Sequence, residues 1–92
     1  MRFEFDAKKS LRNKEKHGVD FNQIQKLWKS PFVELVSKYE DEPRRLVIGT
    51  LADTVWTVIV THRDEKIRII SARRAREDEK EVYQKLRKNH SG

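Results

Sequence analysis

The first five residues alternate apolar and charged side chains, Phe3 and Phe5 against Arg2 and Glu4, which predicts a half-buried strand. Asp6 then stands where a helix cap is needed. The segment from Ala7 to about Lys16 predicts a first helix whose apolar residues are Ala7 and Leu11 alone, so it should be thinly anchored and mostly solvated. It should stop at His17-Gly18, where glycine takes the left-handed conformation that closes a helix end. Asp20 with Gln23 makes a capping-box pattern, Val19 and Ile24 occupy the staple positions, and Phe21, Ile24, Leu27 and Trp28 share one face. This second helix ends at Ser30-Pro31, because the residue before a proline is pushed out of helical geometry.

Phe32 to Ser37 predicts a second strand, and Tyr39 to Pro43 a polar, acidic connection. Leu46 to Leu51, Val55 to Thr61 and Lys66 to Ser71 predict three more strands, separated by connections of hairpin length, so an antiparallel meander is the economical arrangement. A last helix is predicted from about Arg76 to Lys88. Glu77, Asp78 and Glu79 lie in its first turn and Lys85, Arg87 and Lys88 in its last, which suits the helix dipole, and Val82, Tyr83 and Leu86 form its apolar stripe. Asn89 to Gly92 should fray. The expected fold is α+β: a mostly antiparallel sheet of four or five strands, two N-terminal helices and one C-terminal helix. Each helix has one stripe to bury, which places the helices on one face of the sheet.

Ninety-two residues suit one domain, 1–92, since two cores would each be too small to offset chain entropy. The chain contains no cysteine, which excludes disulfides and thiolate metal sites, and no apolar run approaches the length of a membrane helix. The start MRFEFDAKKS lacks the apolar stretch of a signal peptide, so a soluble protein of the cytoplasm is expected. The net charge is +6, unevenly spread: residues 1–30 carry eight Lys/Arg and four Asp/Glu, residues 31–65 four and seven, and residues 66–92 nine and four. If the basic ends meet they form a surface for phosphates or an acidic partner; otherwise they are a solubilising shell.

No glycine-rich phosphate loop, H-E-x-x-H or G-x-S-x-G occurs, and the three histidines lie far apart, which leaves no expected metal site or cofactor. What remains is Arg, Lys and His among short polar residues in Lys9 to His17 and Arg63 to Arg76, a set suited to phosphodiester chemistry. RNA can be cleaved without metal, because its own 2′-hydroxyl attacks the adjacent phosphorus. The protein then holds the geometry, moves protons and stabilises charge on the phosphoryl oxygens. Arginine clamps phosphate, and histidine titrates nearest neutrality. Each candidate has a plainer reading: His17 beside Gly18 can be structural, Arg73 and Arg74 can pair with Glu77, Asp78 or other carboxylates, and Trp56 and Tyr83, which could stack on bases, can be core. His62 and His90 are weaker candidates.

Three stretches together carry a resemblance: F-E-F-D-x-x-K-x-x-x-N-x-x-K-H-G-V-D-F at 3–21, V-I-G at 47–49 and R-I-I-S-A-R-R-A-x-x-x-E at 68–79. In this order they resemble the BrnT ribonuclease toxins. The resemblance implies a RelE-like fold, metal-independent endoribonuclease activity that inhibits translation and growth, and neutralisation by a BrnA-like ribbon-helix-helix antitoxin in a heterotetramer or larger complex. DNA would be reached only through that antitoxin. Carried over position by position, it singles out Lys9, Asn13, Lys16, His17, Arg63, Arg68, Ser71, Arg73 and Arg74. The expectation is that Arg63, Arg68 and Arg73 stabilise the reacting phosphate, His17 takes part in proton transfer, and Lys9, Lys16, Ser71 and Arg74 bind RNA. One departure is Arg76, which replaces the usual Ser or Thr cap before the last helix. The competing reading is a non-catalytic RNA- or DNA-binding module that uses the same arginines for phosphate contacts alone.

Overall fold

A computed structural model describes residues 2–37 and 43–91, with side chains to Arg87. The elements run β1 (Arg2–Glu4), α1 (Ala7–His17), a 3-10 helix (Gln23–Lys29), β2 (Phe32–Val36), β3 (Arg44–Leu51), β4 (Thr54–Arg63), β5 (Lys66–Arg74) and α2 (Glu77–Ser91). Of the acidic connection expected at Tyr39 to Pro43, residues 39–42 lie outside the described residues.

The fold is α+β with one five-stranded sheet in the order β1-β5-β4-β3-β2. Strands β2 to β5 form the expected antiparallel meander. The sheet is nevertheless mixed, because β1 joins its edge parallel to β5, with Phe3 opposite Ile67. The strands run further than the hydrophobic pattern indicates and leave two-residue turns. Ala52-Asp53 (φ 50° and 65°) and Asp64-Glu65 (φ 49° and 67°) take the positive φ values of the hairpin turn whose twist matches its strands.

The helices do not share one face. Val47, Trp56, Val58, Val60, Ile67, Ile69 and Ala72 pack with Val19, Phe21, Ile24 and Leu27 on one side, beneath α1 and the 3-10 helix. On the other side Val33, Ile48, Ala75 and Tyr83 cluster with Leu35, Val55 and Leu86 under α2. Adjacent residues of β3, Val47 and Ile48, are both fully buried, so the central strands need cover on both faces and the C-terminal helix supplies the second layer.

The second helix is the 3-10 type. Its buried residues Ile24 and Leu27 fall three apart, the period of that helix, and Phe21 in the turn before it continues the same spacing, while Trp28 packs edge-on against Phe3 at 4.9 Å. The capping box forms as expected: Asp20 Oδ1 accepts from the Asn22 and Gln23 amides at 2.9 and 2.7 Å, and Gln23 Oε1 accepts from the Asp20 amide at 3.0 Å.

Helix α1 is bounded as read. Asp6 accepts from the amides of Lys8 and Lys9, which lowers its pKa, and Gly18 closes the helix at φ 89° with its amide on the Lys14 carbonyl at 2.9 Å. Its anchor is polar rather than apolar. Ala7 and Leu11 are exposed, while Ser10 and Asn13 are buried. Ser10 Oγ accepts from the Phe21 amide at 2.9 Å; Asn13 donates Nδ2 to the Val19 carbonyl at 2.8 Å and accepts from the Ala72 amide at 3.2 Å. That last bond uses the edge of β5 beyond the point where the short β1 ends. Helix α2 begins at Glu77 and continues through Asn89 to Ser91, where fraying was expected. Among the described residues no helix is long and apolar enough to cross a membrane.

Candidate functional site

The face on which β5 presents its polar side chains depends on one extra residue. Pairing with β4 slips between Ile59, opposite Ser71, and Val60, opposite Ile69, so that Ile70 is a bulge. Strict alternation from Ile67 and Ile69 would send Ser71 and Arg73 into the core. The bulge reverses the parity, leaving Ala72 inward and putting Lys66, Arg68, Ser71 and Arg73 on the opposite face.

At the far end of β5, Arg73 makes two parallel bonds to Glu79 of α2, Nη1 to Oε1 at 2.7 Å and Nη2 to Oε2 at 2.8 Å. Glu79 Oε1 also accepts from the Thr57 hydroxyl at 3.0 Å and from the Arg76 amide at 2.8 Å. The Arg73 hydrogen bonds pull the Glu79 pKa down to about 2, against burial, with help from the Arg76 amide and Thr57. Glu79 in turn raises the pKa of Arg73. The Arg76 bond is the Glu half of a capping box, so α2 starts cleanly although its cap position lacks a hydroxyl.

Because Asn13 ties α1 to β5, the end of that helix lies beside the end of the strand. Lys16, His17, Arg73 and Arg74 line a hollow of about 470 Å³ there. Arg73 is mostly neutralised by Glu79, so Lys16 and Arg74, both exposed and without an ion-pair partner among the described residues, supply its remaining positive charge. Arg74 also borders a second hollow of about 410 Å³ with Asp53, Thr54, Val55 and Lys80.

Of the residues singled out by sequence, four therefore converge: Lys16, His17, Arg73 and Arg74. Ser71 sits half-buried two positions back on the Arg73 face. Lys9 lies two turns earlier in α1, about 12 Å along the axis. Arg63 and Arg68 are not brought to the hollow. Arg73 pairs with Thr57, Arg63 ends β4, and the six intervening steps span about 20 Å. Arg68 faces Glu4 at 3.7 Å. His62 contacts Glu34 at 3.1 Å on the other side of the sheet, and the His90 side chain lies outside the described residues. Trp56 and Tyr83 are core. Among the described residues no group of three or more His, Asp or Glu side chains is placed to hold a metal ion.

Sequence reading did not assign Glu79 its role. The available signal was the terminal E of the R-R-A-x-x-x-E stretch, six residues after Arg73. A family model described as the ribonuclease toxin BrnT of type II toxin-antitoxin systems matches residues 5–79. The chain belongs to the BrnT family. That match includes all of α1, the sheet from β2 to β5 and the Arg73–Glu79 pair, and ends in the first turn of α2. Membership makes this a ribonuclease toxin at the level of the family, with RNA as substrate and an antitoxin as partner. Among proteins of curated function none matches the chain.

Proposed function

We propose that this BrnT-family chain is an endoribonuclease that cleaves RNA without a metal, and that the hollow at Lys16, His17, Arg73 and Arg74 is its reaction centre. The observation that carries the reading is the meeting of an imidazole with two exposed cations, held by the end of a helix and the end of a strand. Lys16 and Arg74 bind the phosphate and stabilise its added charge. His17 takes part in proton transfer as the 2′-oxygen bonds to phosphorus and the bond to the 5′-oxygen breaks; the proton leaving the first oxygen is balanced by one delivered to the second. The Arg73–Glu79 pair fixes the floor of the hollow. The net charge of +6 suits a BrnA-like antitoxin with an acidic segment that covers this centre.

Incubation with RNA in EDTA tests the reading. Fragments ending in a cyclic or 3′-phosphate are expected, lost in His17→Ala and Arg74→Ala while far-ultraviolet circular dichroism is unchanged. Intact RNA bound in a salt-dependent way would sink the enzyme reading and favour the non-catalytic binding module. Expression without antitoxin should arrest growth, and the same two substitutions should relieve the arrest.

A further inference from the structure

The cations missing from the hollow are themselves gathered elsewhere. On the face of the sheet shared with Arg73, the register aligns Arg2, Lys66 and Arg63 in one row, and Glu4, Arg68, Thr61 and Arg44 in the next. Neighbouring strands lie about 4.8 Å apart and alternate residues about 6.7 Å apart, so the backbones carrying Arg44, Arg63, Lys66 and Arg68 fall within roughly 15 Å of one another. Glu4 is the one described carboxylate in these rows; Asp64 and Glu65 belong to the turn beyond them. Such a cluster of like charges repels itself, and a polyanion relieves it. Along β5 the cluster connects with the hollow through Arg68, Ser71 and Arg73, which share that face because of the bulge at Ile70.

We propose that the sheet face bearing Arg44, Arg63, Lys66 and Arg68 is a second phosphate-binding surface, occupied by the backbone of the same RNA strand on one side of the cleavage point. The proposal rests on the RNA reading but assigns a separate site. An extended strand reaching from the hollow must cover about 20 Å, the length of β5 between them. Binding there is read from backbone charge and carries no base preference of its own.

The test uses a fluorescein-labelled 2′-O-methyl RNA of about 20 nucleotides, which binds but lacks the attacking hydroxyl and so reports on the surface whether or not the protein cleaves. In the triple variant Arg44→Gln, Arg63→Gln, Lys66→Gln, affinity should fall at least tenfold. The slope of log affinity against log salt should lose about 2, at roughly 0.7 per phosphate contact. Cleavage of a dinucleotide, too short to span both sites, should keep its wild-type rate, while cleavage of a long RNA should show a raised KM. The pair Arg63→Gln and Lys66→Gln, at the exposed hairpin end, repeats the measurement with a loss of slope near 1.4 if the triple variant melts early. An unchanged slope overturns the proposal and leaves the face to an acidic protein partner. Loss of dinucleotide cleavage also overturns it, because the face would then be the reaction centre. Failure of wild-type protein to cleave any RNA, with the slope change intact, would sink the nuclease reading and leave this surface standing.

Discussion

Arg73 and Glu79 face each other through two hydrogen bonds of 2.7 and 2.8 Å, joining the end of β5 to the first turn of α2. Removing the guanidinium would leave a carboxylate with 10% side-chain exposure unpaired. Arg73→Ala should therefore destabilise the fold by about 3 kcal/mol and lower Tm by roughly 15 °C. Arg74→Ala, one residue on and exposed, should stay within about 0.5 kcal/mol of the parent. Thermal melts of the two variants check this. Equal stabilities would show that the pair contributes little, and would make Arg73→Ala a clean probe of chemistry.

The same pair sets an acid limit. Glu79 titrates near 2 in the folded protein against 4.5 as a free side chain, so the folded state binds its proton less readily than the unfolded chain. The pair's contribution is complete above pH 4.5 and is lost as pH falls from there toward 2. It amounts to an order of 3 kcal/mol. Melting temperatures measured at steps between pH 7 and 2 should fall across that window, and Glu79→Gln should flatten the fall while lowering stability near neutrality. Parallel curves for the two proteins would assign the acid sensitivity to other carboxylates.

Sequence patterns disclosed the local devices of this fold. Asp6, Gly18 and the Asp20–Gln23 box act within a few residues of one another, and each does what its position indicates. What the patterns hid depends on partners distant in the chain. Helix α1 has almost no apolar residues to mark an inner face, and its anchors are Ser10 and Asn13, which bind backbone groups of Phe21, Val19 and Ala72. The second face of the sheet was hidden because β3 and β4 look like alternating or uniformly apolar strands until the cover on each side is known. At the candidate site the bulge at Ile70 mattered most: it decides which face Ser71 and Arg73 occupy, and one inserted residue leaves no mark in composition or charge. Lys16, His17, Arg73 and Arg74 stand in basic stretches visible in the sequence, but the distance of Arg63 and Arg68 from them depends on strand length and register.

Asn13 should act as a strut for the candidate centre without taking part in the chemistry. Both ends of its amide are used, Nδ2 on the Val19 carbonyl and Oδ1 on the Ala72 amide. Asn13→Ala orphans both backbone groups in a buried place and should cost about 2 to 3 kcal/mol. Asn13→Asp keeps the shape but turns an acceptor toward the Val19 carbonyl, so it should cost at least as much. Because the bond to Ala72 holds the end of α1 beside β5, either variant should raise KM for RNA at temperatures where the protein is still folded. An unchanged KM would show that His17 and Lys16 are positioned by other contacts.

Gly49 offers a test of how closely the 3-10 helix is pressed on the sheet. A Cβ placed there would lie 2.7 Å from Leu27 Cδ2, 2.9 Å from Leu27 Cγ and 3.2 Å from Phe32 Cβ. Leu27 is fully buried in the cluster that also holds Ile24, Val47 and Trp56, where close packing leaves little room for it to shift. Gly49→Ala should therefore cost about 1 to 3 kcal/mol by overpacking, even though alanine suits a strand better than glycine. Shortening the opposing side chain relieves the clash but opens space of its own: Leu27→Ala alone should cost more than 2 kcal/mol, and the double variant Gly49→Ala, Leu27→Ala less than the sum of the singles. Chemical denaturation of the four proteins measures that coupling. Additive costs would mean that the sheet and the 3-10 helix yield to the added methyl by moving apart, and that the glycine of the V-I-G stretch is not needed for their contact.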